Sequence, residues 1–158
     1  SDVAASLRSK LDRFIEGNPS LPVIVVGDFN LNPFDRGMVS SLGFHAVMDA
    51  RIAREKSRII RGERKKMLYN PMWSLLGDRS AGPPGTYYYR QAVSNCYHWN
   101  MFDQALVSSE LSSPGCVTVE ILSNAKDGFS TGGIGKPNKT LSDHFPLIVQ
   151  INPALINK

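Results

Sequence analysis

Residues 21–33 read LPVIVVGDFNLNP, and this stretch decides the fold class. Its first six residues are uncharged and rich in β-branched side chains, which is typical of a short strand buried on both faces of an α/β sheet. Gly27 ends the apolar run, and polar residues follow at the carboxyl end of the strand, where open α/β sheets place their ligand sites. The sequence therefore predicts an α/β fold with a functional site directly after Gly27.

Further elements are predicted on both sides of this strand. Upstream, Leu7, Leu11, Phe14 and Ile15 form the apolar stripe of an amphipathic helix that ends at residues 17–19. Downstream, the pattern predicts a helix after residue 38 that passes into a charged connection. It then predicts a short helix with Asn70 as its cap and Pro71 at its first position, and strands at residues 86–89, 101–107, 117–122 and 146–151.

The positive charge of the chain is concentrated in one segment. The 158 residues carry a net charge of +4 from 18 Lys and Arg and 14 Asp and Glu, yet residues 51–66 alone hold eight basic and two acidic residues. Such a local basic patch suits a polyanion such as nucleic acid. The alternative is a solvated helix face or a mobile connection that binds nothing.

Composition excludes several classes of protein. The longest uncharged apolar run, residues 21–27, is far shorter than the roughly 20 residues that a membrane-spanning helix requires. Cys96 and Cys116 are too few for a disulfide scaffold, and neither belongs to a Cys-x-x-Cys pair that would indicate zinc or redox chemistry. We expect both to be buried free thiols in an ordinary globular domain.

The first polar cluster follows the predicted strand directly. In an extended chain, side chains two residues apart point the same way, so Asp28 and Asn30 would face one site while Phe29 anchors the opposite side. A carboxylate and a neutral amide donor would then converge. The alternative is an Asx-type turn that only closes the strand.

Two further clusters place ionisable groups near predicted strands. In Ser142-Asp143-His144, the histidine can act as a general base, a proton donor or a stabiliser of phosphoryl charge, and Asp143 can bind a divalent cation. Asp103 lies within an apolar strand, where a carboxylate is costly unless it is hydrogen-bonded, and an imidazole is a natural partner. Each cluster alone is also compatible with a surface turn or with an edge-strand aspartate that faces water.

Together the three clusters resemble the endonuclease/exonuclease/phosphatase superfamily, the metal-dependent phosphoesterases with the DNase I-like fold. Residues 27–30, GDFN, match the Gly-Asp-Phe-Asn motif of that superfamily. Trp99-x-x-x-Asp103 resembles its aspartate-bearing strand, and residues 142–144, SDH, match its terminal Ser-Asp-His. The order and spacing of the motifs agree, and the match covers nearly the whole chain.

The resemblance implies that water attacks phosphorus with the help of Mg²⁺ or Mn²⁺, and it implies a role for each residue. Asp28 aligns or deprotonates the water, Asn30 holds a phosphoryl oxygen, and Asp143 serves as a metal-side ligand or contacts the residues that bind the metal. His144 stabilises or protonates the developing charge, and Asp103 fixes the orientation of its imidazole. We further expect substrate contacts from one aromatic and four basic residues: Trp99, Arg58, Arg61, Lys65 and Lys66.

The resemblance also implies that the chain is one half of a catalytic domain. The first half of the domain normally supplies an asparagine and the glutamate that is the principal metal ligand, and no glutamate here lies in such a motif. We therefore interpret residues 1–158 as the C-terminal portion of the domain, with residues 51–66 as a basic connecting segment within it. The expected fold is the second half of a four-layer α/β sandwich, one mainly antiparallel mixed sheet flanked by helices.

These expectations lead to a function with stated alternatives. We predict a metal-dependent phosphoesterase that hydrolyses phosphodiester bonds of nucleic acid, with this chain inactive by itself. The missing N-terminal half, or self-association, would cover the apolar face of the sheet. The alternatives are a phosphatase or phospholipase of the same superfamily, or a non-catalytic half-domain that only binds a phosphate-bearing partner.

Overall fold

The computed structural model describes residues 2–94, 96–124, 128–131 and 135–156. The α-helices in these ranges are α1 (Asp2–Gly17), α2 (Arg36–Val39) and α3 (Ala50–Ala53). The strands are β1 (Ile24–Asp28), β2 (Ala46–Val47), β3 (Ser57–Ile60), β4 (Glu63–Lys66), β5 (Leu68–Tyr69), β6 (Tyr87–Tyr88), β7 (Trp99–Asn100), β8 (Asp103–Val107), β9 (Val117–Ile121), β10 (Ser130–Thr131), β11 (Lys136–Pro137) and β12 (Leu147–Ile151). Short 3-10 helices occupy Pro71–Leu75, Ser109–Leu111 and Pro153–Leu155. None of the described helices has the length and apolar character needed to span a membrane.

The central sheet has four strands in the order β1-β8-β5-β2. β1 and β8 are antiparallel in a register that sets Asp28 opposite Asp103, β5 is antiparallel to β8, and β2 is parallel to β5. The predicted α/β class with a mainly antiparallel mixed sheet is therefore confirmed. The expectation that residues 21–26 are buried on both faces is wrong, because β1 lies at the edge of the sheet and Val26 is 53% exposed.

The basic segment folds differently from the prediction. The region after residue 38 contains no long helix, since α2 and α3 have four residues each, and β3 and β4 form an antiparallel hairpin instead. Arg61 and Gly62 at its turn have φ angles of 52° and 82°, which suit the tight reversal of a two-residue hairpin loop. Residues 57–66 are named the basic hairpin below.

The remaining strands pair locally and enclose a second part of the core. β9 and β12 are antiparallel, as are the ribbons β6–β7 and β10–β11. The predicted short helix is a 3-10 helix, in which the Asn70 side chain accepts a hydrogen bond from Met72 N and Pro71 occupies the first turn. Met72 is fully buried with Met101 and Phe145 in an apolar cluster.

Both cysteines are free, as predicted. Cys116 is fully buried in a third apolar cluster with Val107 and Leu111. Cys96 is only partly buried, and its thiol lies 3.4 Å from the carbonyl oxygen of Tyr89. The expected burial therefore holds for Cys116 alone, because Cys96 lies in the exposed connection between β6 and β7.

Helix α1 is fastened to the central sheet by apolar and polar contacts. Ala4 is buried in a cluster with Phe44, and Leu11 packs against that cluster. The Arg8 side chain is also buried, and its guanidinium donates hydrogen bonds to the carbonyl oxygens of Phe44 and Lys66. The predicted N-terminal helix is confirmed.

An apolar groove of about 570 Å³ lies open between α1 and β1. Leu7 on the helix and Val26 on the strand line it, and they are 45% and 53% exposed. Asp28 lines the same groove where β1 ends. Within the described part of the chain, no strand pairs with the outer edge of β1.

Candidate active site

The centre of the site is a hydrogen-bonded carboxylate–imidazole pair formed by Asp103 and His144. Asp103 is the first residue of β8, and His144 lies shortly before β12. The Oδ2 atom of Asp103 is 2.7 Å from Nδ1 of His144, and each side chain is 22% exposed. Because an ionised carboxylate only accepts hydrogen bonds, Nδ1 donates its proton to Asp103 and Nε2 is left for other groups. The carboxylate–imidazole pair is therefore arranged for chemistry at Nε2.

Thr86 connects the two sides of this pair. It is fully buried, and its hydroxyl oxygen accepts hydrogen bonds from Phe102 N at 3.2 Å and from Asp103 N at 3.1 Å. Its carbonyl oxygen accepts from Phe145 N, in the residue after His144, at 2.8 Å. Thr86 therefore helps to set the separation between Asp103 and His144.

Tyr87 packs directly against the imidazole of His144. The two residues form an antiparallel backbone bridge, and their ring centroids are 4.7 Å apart. Partial burial raises the pKa of the Tyr87 phenol, as do the nearby Asp143 and Tyr89. The phenol is therefore neutral near pH 7 and contributes packing or a hydrogen bond rather than a charge.

Asp28 and Asn30 lie beside the carboxylate–imidazole pair at the end of β1. Asp28 is directly opposite Asp103 in the sheet, and both Asp28 and Asn30 are exposed. Asp28 accepts hydrogen bonds from Asn30 N at 2.9 Å and from Asn30 Nδ2 at 3.3 Å, while Phe29 packs edge-to-face on Phe44. The loop thus has both predicted features, an Asx-type turn and a carboxylate that converges with an amide.

A buried amide network fixes the loop that follows β1. Gln104 is fully buried, and its amide donates to Leu31 O at 2.5 Å and accepts from Asn70 Nδ2 at 2.8 Å. Asn32 is also buried. Its side-chain amide donates to Asn100 Oδ1 at 2.9 Å, and its side-chain oxygen accepts from Met101 N at 2.9 Å. These bonds hold the loop against β7 and β8, so the position of the polar residues after β1 does not depend on exposed contacts.

Asp143, the residue before His144, lines a small pocket. This pocket of about 360 Å³ is also lined by Tyr88, Lys136 and Lys139. The Nζ atom of Lys136 is 4.2 Å from the centroid of the Tyr88 ring, which is a cation–π contact. Asp143 directly precedes His144, and its charge contributes to the raised pKa of Tyr87, which packs against the His144 imidazole.

The four basic residues predicted to bind substrate lie away from the carboxylate–imidazole pair, whereas Trp99 packs against Phe145, the residue after His144. Trp99 stacks on Phe145 with 6.2 Å between the ring centroids, so it contributes to the core. The basic hairpin leads into β5, and β5 pairs with β8 at Val107. Val107 is the last residue of β8, whereas Asp103 is the first. Strand geometry puts Asp103 and Val107 about 13 Å apart. The structure therefore does not place the predicted basic residues next to the carboxylate–imidazole pair. These residues are Arg58, Arg61, Lys65 and Lys66.

A protein-family model described as Endonuclease/Exonuclease/phosphatase family matches residues 1–153 of the chain. The chain belongs to this family. Membership points to a phosphoesterase or nuclease-like hydrolase, and enzymes of the endonuclease/exonuclease/phosphatase family generally use divalent metal ions. The resemblance inferred from the motifs is confirmed. No curated protein and no solved structure gave a significant match to the chain.

The described residues supply only part of the divalent-metal site that membership of the endonuclease/exonuclease/phosphatase family implies. Asp103 is engaged by His144, Asp143 neighbours two lysines, and Asp28 offers one exposed carboxylate. In the part of the chain that the structure describes, no group of three or more His, Cys, Asp or Glu side chains could hold an ion. Mg²⁺ commonly binds one or two protein carboxylates together with waters and substrate phosphates, so Asp28 fits as one ligand among several.

Three residues of the site were not predicted from the sequence: Thr86, Tyr87 and Gln104. Thr86 and Tyr87 belong to a stretch of β-forming residues that carries no motif of its own. Gln104 did offer a signal, because a polar residue inside an apolar strand requires a buried hydrogen-bond partner. That rule predicts a partner but not its identity, which here is the loop after β1.

Proposed function

We propose that the chain carries the second-half catalytic residues of a metal-dependent phosphoesterase that hydrolyses phosphodiester bonds of nucleic acid. The observation that carries this proposal is the 2.7 Å hydrogen bond between Asp103 and His144, beside Asp28 in the β1–β8 register. An oriented imidazole thus lies next to an exposed carboxylate and amide. Membership of the endonuclease/exonuclease/phosphatase family supports the hydrolase class.

In the proposed reaction, water attacks phosphorus in line with the leaving oxygen. Asp28 aligns or deprotonates that water, and the Asn30 amide donates a hydrogen bond to a phosphoryl oxygen. His144 uses Nε2 to stabilise or protonate the developing charge, while Asp103 holds the ring through Nδ1–H. Bound Mg²⁺ or Mn²⁺ supplies charge neutralisation at the phosphoryl group. Asp28 and Asp143 are the candidate metal-side carboxylates, because Asp28 lies opposite Asp103 and Asp143 directly precedes His144.

The chain is, in this proposal, the C-terminal half of a four-layer sandwich. The open groove between α1 and β1 supports this, since it is apolar and extends to Asp28 at the end of β1. An N-terminal half or a second copy packed there would cover exposed side chains such as Leu7 and Val26. The same segment could supply the metal ligands that Asp28 alone does not provide.

The basic hairpin supports nucleic acid as the substrate. Its basic side chains are largely exposed, but they lie at the opposite end of the central sheet from the carboxylate–imidazole pair. A long polyanion can contact both places at once, whereas a small phosphomonoester or a lipid headgroup cannot. This arrangement favours a nuclease over a phosphatase or a phospholipase.

Hydrolysis of a labelled oligonucleotide by the complete protein with Mg²⁺ or Mn²⁺ tests the proposal. We expect His144→Asn and Asp28→Asn each to lower kcat/KM by about 10²–10⁴-fold, because each removes a group that handles a proton or charge in the reaction. His98→Asn changes an exposed histidine outside the carboxylate–imidazole pair and serves as the matched control. Unchanged hydrolysis by folded His144→Asn protein would contradict the proposed function.

A further inference from the structure

Aromatic rings extend from the carboxylate–imidazole pair along one side of β6. Tyr87 lies against His144 and stacks with Tyr89, at 6.0 Å between centroids and 20° between ring planes. Tyr87 also stacks with Phe102, at 5.5 Å and 23°. Phe102, Tyr87 and Tyr89 are named the aromatic strip below. The strip therefore begins beside the proposed reacting centre and leads away from it.

The aromatic strip is not explained by core packing. Tyr89 is 39% exposed, and Tyr87 and Phe102 are half-buried. The neighbouring Tyr88 takes the structural contacts of this strand, since it packs edge-to-face on Trp99 and lies under the Lys136 ammonium group. Alternation along the strand turns Tyr87 and Tyr89 to the opposite side. Their rings form an apolar surface directly beside an ionic site, which is a feature of ligand-binding surfaces.

Positive charges lie in the chain segments next to the aromatic strip. Arg90 follows Tyr89 in the chain and is exposed. Lys136 and Lys139 line the same pocket as Asp143, which is the residue before His144. The Asp143 carboxylate offsets part of their charge. A polynucleotide whose phosphodiester reacts at His144 has further phosphates on both sides of that bond. Cations in these neighbouring segments would attract those phosphates while the rings meet a base.

We propose that the aromatic strip is a stacking site for an unpaired nucleobase next to the reacting phosphodiester, so that the substrate is single-stranded nucleic acid. This inference rests on the proposed function and narrows its substrate. Aromatic side chains stack on any nucleobase, because every base has a π face. A base inside a duplex is already stacked on both faces, and lipid headgroups and sugar phosphates have no such planar group. The geometry therefore selects unpaired polynucleotide among the phosphate esters.

The stacking site is tested by fluorescence anisotropy with this chain in EDTA, which prevents metal-dependent hydrolysis. The probes are fluorescein-labelled oligodeoxythymidine and oligouridine octamers, and an abasic octamer with the same number of phosphates. We expect Tyr89→Leu to weaken binding of both base-containing octamers about tenfold and to leave the abasic octamer unaffected. Tyr89→Phe keeps an aromatic ring and should bind normally. Tighter binding of one base-containing octamer identifies DNA or RNA as the source of the base.

The matched control is Tyr97→Leu. Tyr97 is 67% exposed and contacts Phe34 rather than the aromatic strip, so its replacement should leave binding unchanged. The proposal is overturned if Tyr89→Leu weakens all octamers equally or none of them, or if a duplex of the same sequence binds as tightly as the single strand.

Cleavage of the abasic octamer separates this inference from the proposed function. The complete protein with Mg²⁺ should cleave that octamer in a His144-dependent way, because the reacting group is a phosphodiester. If the protein shows Tyr89-dependent binding of the base-containing octamers but does not cleave the abasic octamer, the proposed function is overturned and the base-binding site stands. Normal cleavage of the abasic octamer, with no effect of Tyr89→Leu on binding of the base-containing octamers, overturns the base-binding site and leaves the proposed function standing.

Discussion

Thr86 provides hydrogen-bond acceptors to groups on both sides of the carboxylate–imidazole pair. Its hydroxyl accepts from the N–H groups of Phe102 and Asp103, and its carbonyl from that of Phe145. The residue is fully buried, so water cannot replace a lost partner easily. An unsatisfied buried donor costs about 1–3 kcal/mol. The geometry of the pair therefore depends on a residue that never meets the substrate.

We expect Thr86→Val, which keeps the shape but removes the hydroxyl, to lower the free energy of unfolding by about 1–3 kcal/mol. In the complete protein it should also lower kcat, because the start of β8 loses the contact that positions Asp103. Urea denaturation and oligonucleotide hydrolysis measure the two effects. Thr86→Ser retains the hydroxyl and is the control. If both variants are equally stable, the hydroxyl does not have the proposed role.

His45 is a second residue whose chemistry is decided by burial. It is 1% exposed, and its Nδ1 atom donates to the Lys66 carbonyl oxygen at 2.9 Å, while Nε2 has no partner among the described residues. Burial lowers the pKa of His45, and the charges of Arg58 and Arg8 lower it further, although the bond to Lys66 opposes them. The folded state therefore holds this imidazole neutral.

The lowered pKa of His45 predicts a loss of stability in acid. Below about pH 6.5 His45 binds a proton in the unfolded state but not in the folded state. The free energy of unfolding therefore falls as the pH drops toward the pKa of His45 in the folded state. The contribution of His45 is fully present above the unfolded pKa. His45→Asn should make the denaturation midpoint less sensitive to pH between 7 and 5, since asparagine does not titrate and tolerates the φ of 51°. An identical pH dependence in both proteins would contradict this.

The residues that the sequence could identify are those with chemistry of their own. Asp28, Asn30, Asp103 and His144 carry the motifs, and the structure brings them to one end of the central sheet. Thr86 was out of reach because a buried threonine acts only through its backbone neighbours, which depend on the tertiary arrangement. For Asp143 the role of metal ligand stays a prediction, and the fold adds only that Lys136 and Lys139 line the same pocket.

At the level of elements, the basic hairpin is the part that local sequence described least well. Helix α1 and the longer strands follow from periodicity and β-branched composition. In residues 51–66, charge hides the periodicity, and the deciding signal is the two-residue turn at Arg61 and Gly62. The hairpin therefore places its basic side chains on a two-stranded ribbon at the end of the sheet that is remote from Asp103.

Neutralising the basic hairpin should weaken binding of the nucleic acid without changing catalysis. With Arg58, Lys65 and Lys66 all changed to Gln, we expect the slope of log K against log salt to become shallower by about 2, since each phosphate contact contributes about 0.7–0.9. The value of kcat in the complete protein should stay constant because the hairpin does not reach the carboxylate–imidazole pair. Changing Lys10, Arg51 and Arg79 to Gln is the control of equal charge. Equal slopes for both triple variants would exclude a specific role of the hairpin.

At the scale of the whole molecule, the groove between α1 and β1 is an open surface that packing within the described residues does not explain. It is apolar, open and continuous with Asp28. We expect the 158-residue chain alone to show negligible Mg²⁺-dependent hydrolysis and to regain it when an N-terminal half with the missing metal ligands is supplied. Light scattering and an oligonucleotide assay measure association and activity. Turnover by the monomeric chain that disappears in Asp28→Asn and His144→Asn would contradict the half-domain interpretation.

The pairing of β1 with β8 also has a consequence for folding kinetics. Asp28 and Asp103 become neighbours only when strands from distant parts of the chain meet, and His144 joins from a third region. Contacts so remote in sequence require closure of long loops, which makes a fold of this kind slow to form. No local fragment of the chain contains a rudimentary version of the site. In the complete protein, recovery of His144-dependent activity after dilution from denaturant should therefore follow the slow, long-range step of folding rather than the early formation of helix α1.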